Sequence, residues 1–376
     1  MFALLLASLF ACDRQNPAIL ATADGIKVTV EEFRFRRSFT PYIFHSKTLA
    51  SQNREFCASL IGEKWMAQQA RTYGLAGGAR YRAQMAQLQR EFLYEALYKD
   101  QVAGRPDPDQ ALNQLLRATM AGKSMRIGHE SFAALEQALS HVLDEIPFLK
   151  DSTRTLTEQE ANLFYKTYGD LPNRILVRFN SQAKWTVADL LERLSVGPYP
   201  LPSPHSANFG NALKQVIKRA AELEFISQKA RELGLAKRAD VTRQEQMWSD
   251  ALLAQSLMQY LQEQIQISEE EVRQYYQNHL SNLSLNPRSV PLDSVQQQIR
   301  RQLRSERVED LYRGQLSSLP KKIYYNMSLL DTLVKNPSAD LVVKRHFPGR
   351  LLAPIVFPFA EFMGTLPEVA VSEQTH

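Results

Sequence analysis

Thr29-Val30-Glu31-Glu32-Phe33 and, far downstream, Thr186-Val187-Ala188-Asp189-Leu190 open on the same pattern. The first is followed by Ala70-Arg71-Thr72-Tyr73-Gly74-Leu75, the second by Ala230-Arg231-Glu232-Leu233-Gly234-Leu235. Thr29 to Gly74 spans 45 positions and Thr186 to Gly234 spans 48. Matched segments in one order at nearly one separation mean a single supersecondary unit used twice. Each threonine suits a helix N-cap, with acids in the first turn where the helix dipole favours them. Each glycine suits a helix C-cap. The unit is therefore mainly helical. It carries no evident reactive group, which fits a surface that holds something better than a site that transforms it.

Around these anchors the periodicity extends. Ala23-Asp24-Gly25 between short apolar stretches predicts a small strand or hairpin. Phe56, Leu60, Ala67 and Ala70 lie at helical spacing over 56–73, and a longer helix over 80–102 closes at Gly104 and Pro106. In the second copy, 175–179 suits a strand and 186–194 a capped helix. Leu213, Val216, Ile217, Ala220, Leu223, Ile226, Ala230 and Leu233 form one stripe over 211–233. A long helix over 243–265 follows. Thr157-Glu158-Gln159-Glu160 and Ser268-Glu269-Glu270-Glu271 both read as capping boxes leading to an aromatic pair, Phe164-Tyr165 and Tyr275-Tyr276. A helix over 291–319 turns Leu292, Val295, Ile299 and Leu303 inward, and Ile323–Leu330 suits a closing strand.

Composition narrows the function. Fifteen glycines in 376 residues disfavour an all-β fold and glycine-rich nucleotide sites, and suit long helices. A net charge of +5 is too mild to indicate nucleic acid. The seven histidines include no HxxxH pair and none beside a cysteine, so no metal site is expected. There is no CxxC, GxSxG or Walker motif, no cofactor is implied, and no catalytic residue is assigned. Gly77-Gly78 reads as a helix–helix turn. Arg300, Arg304 and Arg307 share one helical face, read as solvated and paired with Glu306 and Glu309 rather than as a nucleic-acid or lipid stripe. The proline-rich run 197–204 reads as a rigid linker between helices.

Phe2 to Ala11 is ten residues without a charge, too short to span a bilayer, and it ends at Ala11-Cys12. This resembles the lipobox of bacterial lipoproteins, which implies a signal peptide over 1–12, lipid attachment at Cys12 and a short tether over 13–18. An ordinary secretory signal, or a buried N-terminal segment, would have the same apolar run. Cys57 is then a lone thiol that suits a buried site.

Several segments together resemble the SurA/PrsA-type periplasmic foldases, chaperones built around a parvulin-type prolyl isomerase. These are the opening Ala23-Asp24-Gly25 with Thr29–Phe33, the helix with Leu60-Ile61, Ala70 and Gly74-Leu75, the Ser268–Tyr276 helix, and the helix from Val290. The resemblance covers about two thirds of the chain. It implies helical lobes of the SurA N-terminal or trigger-factor kind in the bacterial envelope, on the periplasmic side. In that family the isomerase follows the Tyr-Tyr helix. Here only the fourteen residues 277–290 separate Tyr276 from Pro291, and a domain needs about 50. The resemblance therefore implies the cradle without the isomerase.

The expected architecture is a first lobe over 19–150, a second over 151–285, a helix and strand over 286–335 that complete a lobe, and an irregular tail over 336–376 with an apolar patch at Leu351–Phe362. The expected function is ATP-independent binding of unfolded or translocated polypeptides. The alternatives are a prolyl isomerase with a degenerate parvulin sheet, drawn from 100–150 or 330–370, and a structural lipoprotein scaffold. Phe33, Phe35, Phe39, Tyr42 and Phe44, dense near the first unit and interleaved with arginines, are the candidate client-binding aromatics. The expected partners are polypeptide clients and, through Cys12, a membrane, with no nucleic acid.

Overall fold

The computed structural model describes residues 18–40, 48–146, 152–180, 182–279, 291–319, 322–333, 356–363 and 368–370. The fold is mainly helical with short strands. The first copy begins with a hairpin, β1 (Ile19–Ala23) and β2 (Ile26–Thr29). Its turn places Asp24 and Gly25 at φ 45° and 79°, the left-handed backbone that matches the twist of a two-residue hairpin. Thr29 then caps α1 (Val30–Phe39), its hydroxyl accepting from the Glu32 amide at 3.2 Å. After α2 (Leu49–Thr72) comes a short turn, then α3 (Ala79–Gln101). Asp107 caps α4 (Pro108–Met120), and β3 (Met125–Ile127) and α5 (His129–Asp144) complete the copy. The sequence reading did not foresee α4 and α5. The described residues of 100–146 form two helices and one three-residue strand, where a parvulin sheet was the alternative.

β4 (Thr153–Arg154) and α6 (Glu158–Thr167) join the copies, and Thr157 with Glu160 forms the expected capping box. The second copy then repeats the order. It has a hairpin, β5 (Ile175–Phe179) and β6 (Lys184–Thr186), and α7 (Val187–Val196) capped by Thr186. β7 (Leu201–Pro202), α8 (Phe209–Glu232) and α9 (Ala239–Glu263) follow. Next come α10 (Glu269–His279), α11 (Leu292–Ser317), β8 (Ile323–Tyr325), α12 (Met327–Thr332) and β9 (Glu368–Ala370).

The two copies agree down to single backbone atoms. Ile19 faces Thr29 and Ala21 faces Val28, which leaves Leu20 as a bulge; Ile175 faces Thr186 and Val177 faces Trp185, which leaves Leu176. Both bulged leucines are buried. The amide of Val30 donates to the Ala18 carbonyl at 2.9 Å, and that of Val187 to the Arg174 carbonyl at 3.0 Å. Gly74 and Gly234 hold φ 75° and 76° between the long helices. Left-handed backbone there lets each chain leave one helix and enter a 3-10 turn.

A third strand joins each hairpin, and it comes from the other copy. β8 pairs with β1, Tyr325 facing Ala21, and β3 pairs with β5, Ile127 facing Val177. The register is the same in both. The Asn326 amide donates to the Leu20 carbonyl at 2.9 Å, and the Gly128 amide to the Leu176 carbonyl at 2.8 Å. Each sheet is therefore assembled from both copies. Accordingly the chain forms two compact units, one from Arg71–Leu253 and the other from the described residues on either side of it. These units break the chain at 70/71 and 253/254. A cut between the copies would sever both sheets.

Within the middle unit, Leu135 and Leu139 of α5, Phe164 of α6 and Leu190 of α7 belong to one buried cluster with Leu213 and Ile217 of α8. In the other unit, the strand order β2-β1-β8-β9 makes a four-stranded sheet that includes the first repeat hairpin. The proline-rich run between α7 and α8 is pinned in place: Pro202 and Leu201 pair with Thr153 and Arg154, and Tyr199 and Leu201 are buried. Two further expectations change. Leu233 is 44% exposed, because it lies past the last turn of α8 and leaves its stripe. Arg300 pairs with Glu269, Arg307 with Glu271 at 2.6 Å, and Arg304 donates to the Gln262 carbonyl at 3.1 Å. Those arginines tie α11 to α10 and the end of α9, because Glu306 and Glu309 occupy other faces of the same helix.

A Cβ at Gly74 or Gly234 would meet open space, so only backbone strain opposes it. Gly74→Ala and Gly234→Ala are each expected to cost about 1–2 kcal/mol, read from the urea unfolding midpoint. An unchanged midpoint in both would show that these turns do not need the left-handed backbone.

Candidate functional site

The site is built on the first copy's α1 and α2. Thr29 starts α1, and seven residues later Arg36 points into the core, its side chain wholly buried. Both terminal nitrogens donate to Glu63 of α2, each at 2.6 Å. A buried arginine must be met this way, and the planar fork matches a carboxylate. Phe33, one turn earlier, meets the Phe56 ring edge-on at 5.1 Å. Together they lock α1 on α2. The second copy uses the same device. Arg193, seven residues after Thr186, reaches Glu224 at 3.3 Å and lies over Trp185 at 4.2 Å.

With α1 locked, its last residues meet a strap formed by residues 356–363. The Thr40 hydroxyl donates to the Arg36 carbonyl at 3.0 Å and accepts from the Val356 amide at 3.2 Å. On α2, the Ser59 hydroxyl accepts from the Ala360 amide at 3.1 Å. Both hydroxyls are buried. One turn further along α2 is Gly62, and a Cβ there would stand 2.7 Å from the Phe359 Cβ. Glycine inside a helix costs about 1 kcal/mol against alanine. Here it opens the space that Phe359 fills, and Phe359 is 1% exposed.

The strap's aromatic residues also meet Tyr312 of α11. Phe357 and Phe362 both meet its ring edge-on, each at 5.7 Å, and stack on one another at 5.7 Å. Such ring contacts add about 0.5–1.5 kcal/mol each to simple burial. Burial raises the ionisation of the Tyr312 hydroxyl above its usual range, while the Gln262 amide, donating to it at 2.5 Å, works the other way. The result is a groove lined by two hydroxyls, the Tyr312 ring and a gap at Gly62. It holds residues 356–363 partly by their backbone.

The sequence-derived aromatics fare unevenly. Phe33 is 3% exposed and belongs to the core, because helical spacing sets it opposite Phe56; it is not available as a binding surface. Phe35 and Phe39 are half-buried and pair edge-on at 5.1 Å. Tyr42, Phe44 and Cys12 lie outside the described residues. Thr40, Ser59, Gly62 and Tyr312 were missed. A glycine within an otherwise helical apolar run was the available signal, together with the apolar patch at Leu351–Phe362. Cys57 is fully buried, and desolvation pushes its thiol well above the ordinary range, so it is inert.

One other concavity, about 450 Å³, lies in the middle unit between α5 and the segment before β5, lined by His141, Tyr168, Asp170 and Arg174. His141 meets Tyr168 edge-on at 6.3 Å, and both His141 and Arg174 are exposed, so no polar group is desolvated there. Among the described residues no helix is long and apolar enough to cross a membrane. No family model, curated protein or solved structure matches this chain.

Removing one member of a buried ion pair strands the other's charge. Arg36→Met alone is therefore expected to cost about 3–5 kcal/mol, and Arg36→Met with Glu63→Leu much less. Urea unfolding of the two variants checks this. Equal losses would mean that the pair itself, rather than an uncompensated charge, carries the effect.

Proposed function

We propose that this chain is a polypeptide-holding protein of the bacterial cell envelope, acting without ATP or covalent chemistry. The observation that carries the reading is the groove of α1, α2 and α11. It takes an apolar stretch of chain by donating no unique side-chain code: two hydroxyls accept from backbone amides, and an aromatic wall and a glycine gap receive side chains of whatever apolar residues follow. Backbone amides are common to every unfolded chain, so this grip is sequence-tolerant. Apolar grooves lined by aromatics are the ordinary means of holding extended segments. The resemblance to SurA/PrsA-type foldases in the N-terminal opening and in the 268–276 helix points the same way, as does the apolar run ending at Cys12 for envelope anchoring.

The test is light scattering of an unfolded outer-membrane-type polypeptide diluted into buffer with the purified chain. Near-stoichiometric protein without ATP is expected to suppress aggregation. No suppression with several unrelated polypeptides would overturn the reading in favour of a dedicated assembly partner, to be found by cross-linking in cells.

A further inference from the structure

We propose that the Val356–Met363 strap is a removable occupant. The groove of Thr40, Ser59, Gly62 and Tyr312 is a peptide site closed in cis by the chain's own tail, and an apolar client segment takes the strap's place. This rests on the polypeptide-holding reading and adds the regulation of its site. Three observations carry it.

The first is how the strap is held. Among the hydrogen bonds that join it to the rest of its unit, Val356 and Ala360 give backbone amides to the hydroxyls of Thr40 and Ser59. Among the described residues its other backbone bonds are internal: Phe359 to Phe357, Glu361 to Pro358 and Met363 to Ala360. The strap is thus a self-contained turn laid on the groove rather than a rung of a sheet. An incoming segment supplies the same two amides.

The second is its side chains. Val356 and Phe359 are buried, whereas Phe357 and Phe362 are only half-buried and meet the groove through Tyr312. Apolar ring contacts of this kind are made as well by another aromatic segment.

The third is the second copy, which serves as an internal control. Counting from Thr29 and Thr186, Thr40 matches Gly197. Counting back from Gly74 and Gly234, Ser59 and Gly62 match Arg219 and Glu222. The repeat therefore folds without the two hydroxyls and without the gap. These three residues are particular to the copy that carries the strap, so they are there for the strap or for what replaces it.

The experiment locks the strap. In the full chain with Cys12→Ser, Ser59→Cys and Ala360→Cys are introduced, where the serine oxygen and the alanine amide nitrogen are 3.1 Å apart. The probe is a fluorescent synthetic peptide of residues 354–365. The native chain is expected to bind it; the reduced variant, which lacks the Ser59 hydroxyl but keeps Thr40, Gly62 and Tyr312, is expected to bind it more weakly than the native chain, its disulfide to weaken binding at least tenfold further, and dithiothreitol to restore the reduced level. A second variant, Phe357→Ala with Phe359→Ala and Phe362→Ala, is expected to bind the peptide at least fivefold more tightly than the native chain. Peptide binding that is absent in the native chain, or that in the variant is indifferent to oxidation, overturns the proposal. If the triple variant does not fold, the oxidised and reduced comparison still decides. Aggregation assays on the same samples separate the two readings. Suppression lost on oxidation supports both. Suppression that oxidation leaves unchanged overturns the strap as gate and leaves the holding function. Redox-dependent peptide binding without suppression in either state keeps the groove and overturns the holding function.

Discussion

The free edge of a two-stranded hairpin is the constraint on which this chain is organised. A hairpin alone is marginal in water, and its unpaired edge needs a third strand. Each hairpin here takes that strand from the other copy, β8 onto β1 and β3 onto β5. The bulged Leu20 and Leu176 show how closely the two solutions match, since each is buried and each gives its carbonyl to the residue that follows the borrowed strand. A tandem repeat that kept its own third strands would give two independent lobes in series. This one gives two units whose boundaries ignore the repeat.

Duplication of fold has not meant duplication of surface. Both copies hold the short capped helix on the long helix with an arginine seven residues past the capping threonine. Only the first adds Thr40, Ser59 and Gly62 beside it. The ion pair holds α1 on α2, the Thr40 hydroxyl at the end of α1 donates back to the Arg36 carbonyl, and that hydroxyl accepts from the amide of Val356. A contact that is structural in both copies thus becomes a positioning device in one. Gly62 shows the same separation of roles. It weakens α2 as a helix and is tolerated because Phe359 fills the space.

Much of the local architecture could be read from the sequence. Thr29, Thr157 and Thr186 act as caps, Gly74 and Gly234 turn the chain, and the stripe from Leu213 to Ala230 is buried, because each of these depends on neighbours within a few residues. What escaped was non-local. β3 is three residues long, too short for a period to register, and the partners of β3 and β8 lie in another part of the chain. The pairing of Arg300 and Arg307 with α10 was hidden because helical spacing offered nearer acids. The groove was hidden because a serine and a glycine on an apolar helix look like weak core positions until the strap lies over them. Phe33 erred the other way: an aromatic beside arginines suggested a surface, and the opposite ring of Phe56 made it core.

The exchange of strands also sets an order of events as the chain is made. Ile127 and Val177 lie 50 positions apart, so the middle unit can close its sheet early. Ala21 and Tyr325 lie 304 apart, and the first hairpin has no partner until nearly the whole polypeptide has emerged. Closing so long a loop costs only about 1.6 kcal/mol more than closing the shorter one, since the penalty grows with the logarithm of length. The cost is time rather than stability. A chain that crosses a membrane N-terminus first would have its second-formed unit waiting open while its first-formed one is already complete, and its own unpaired hairpin would be the earliest unfolded segment it has to shelter.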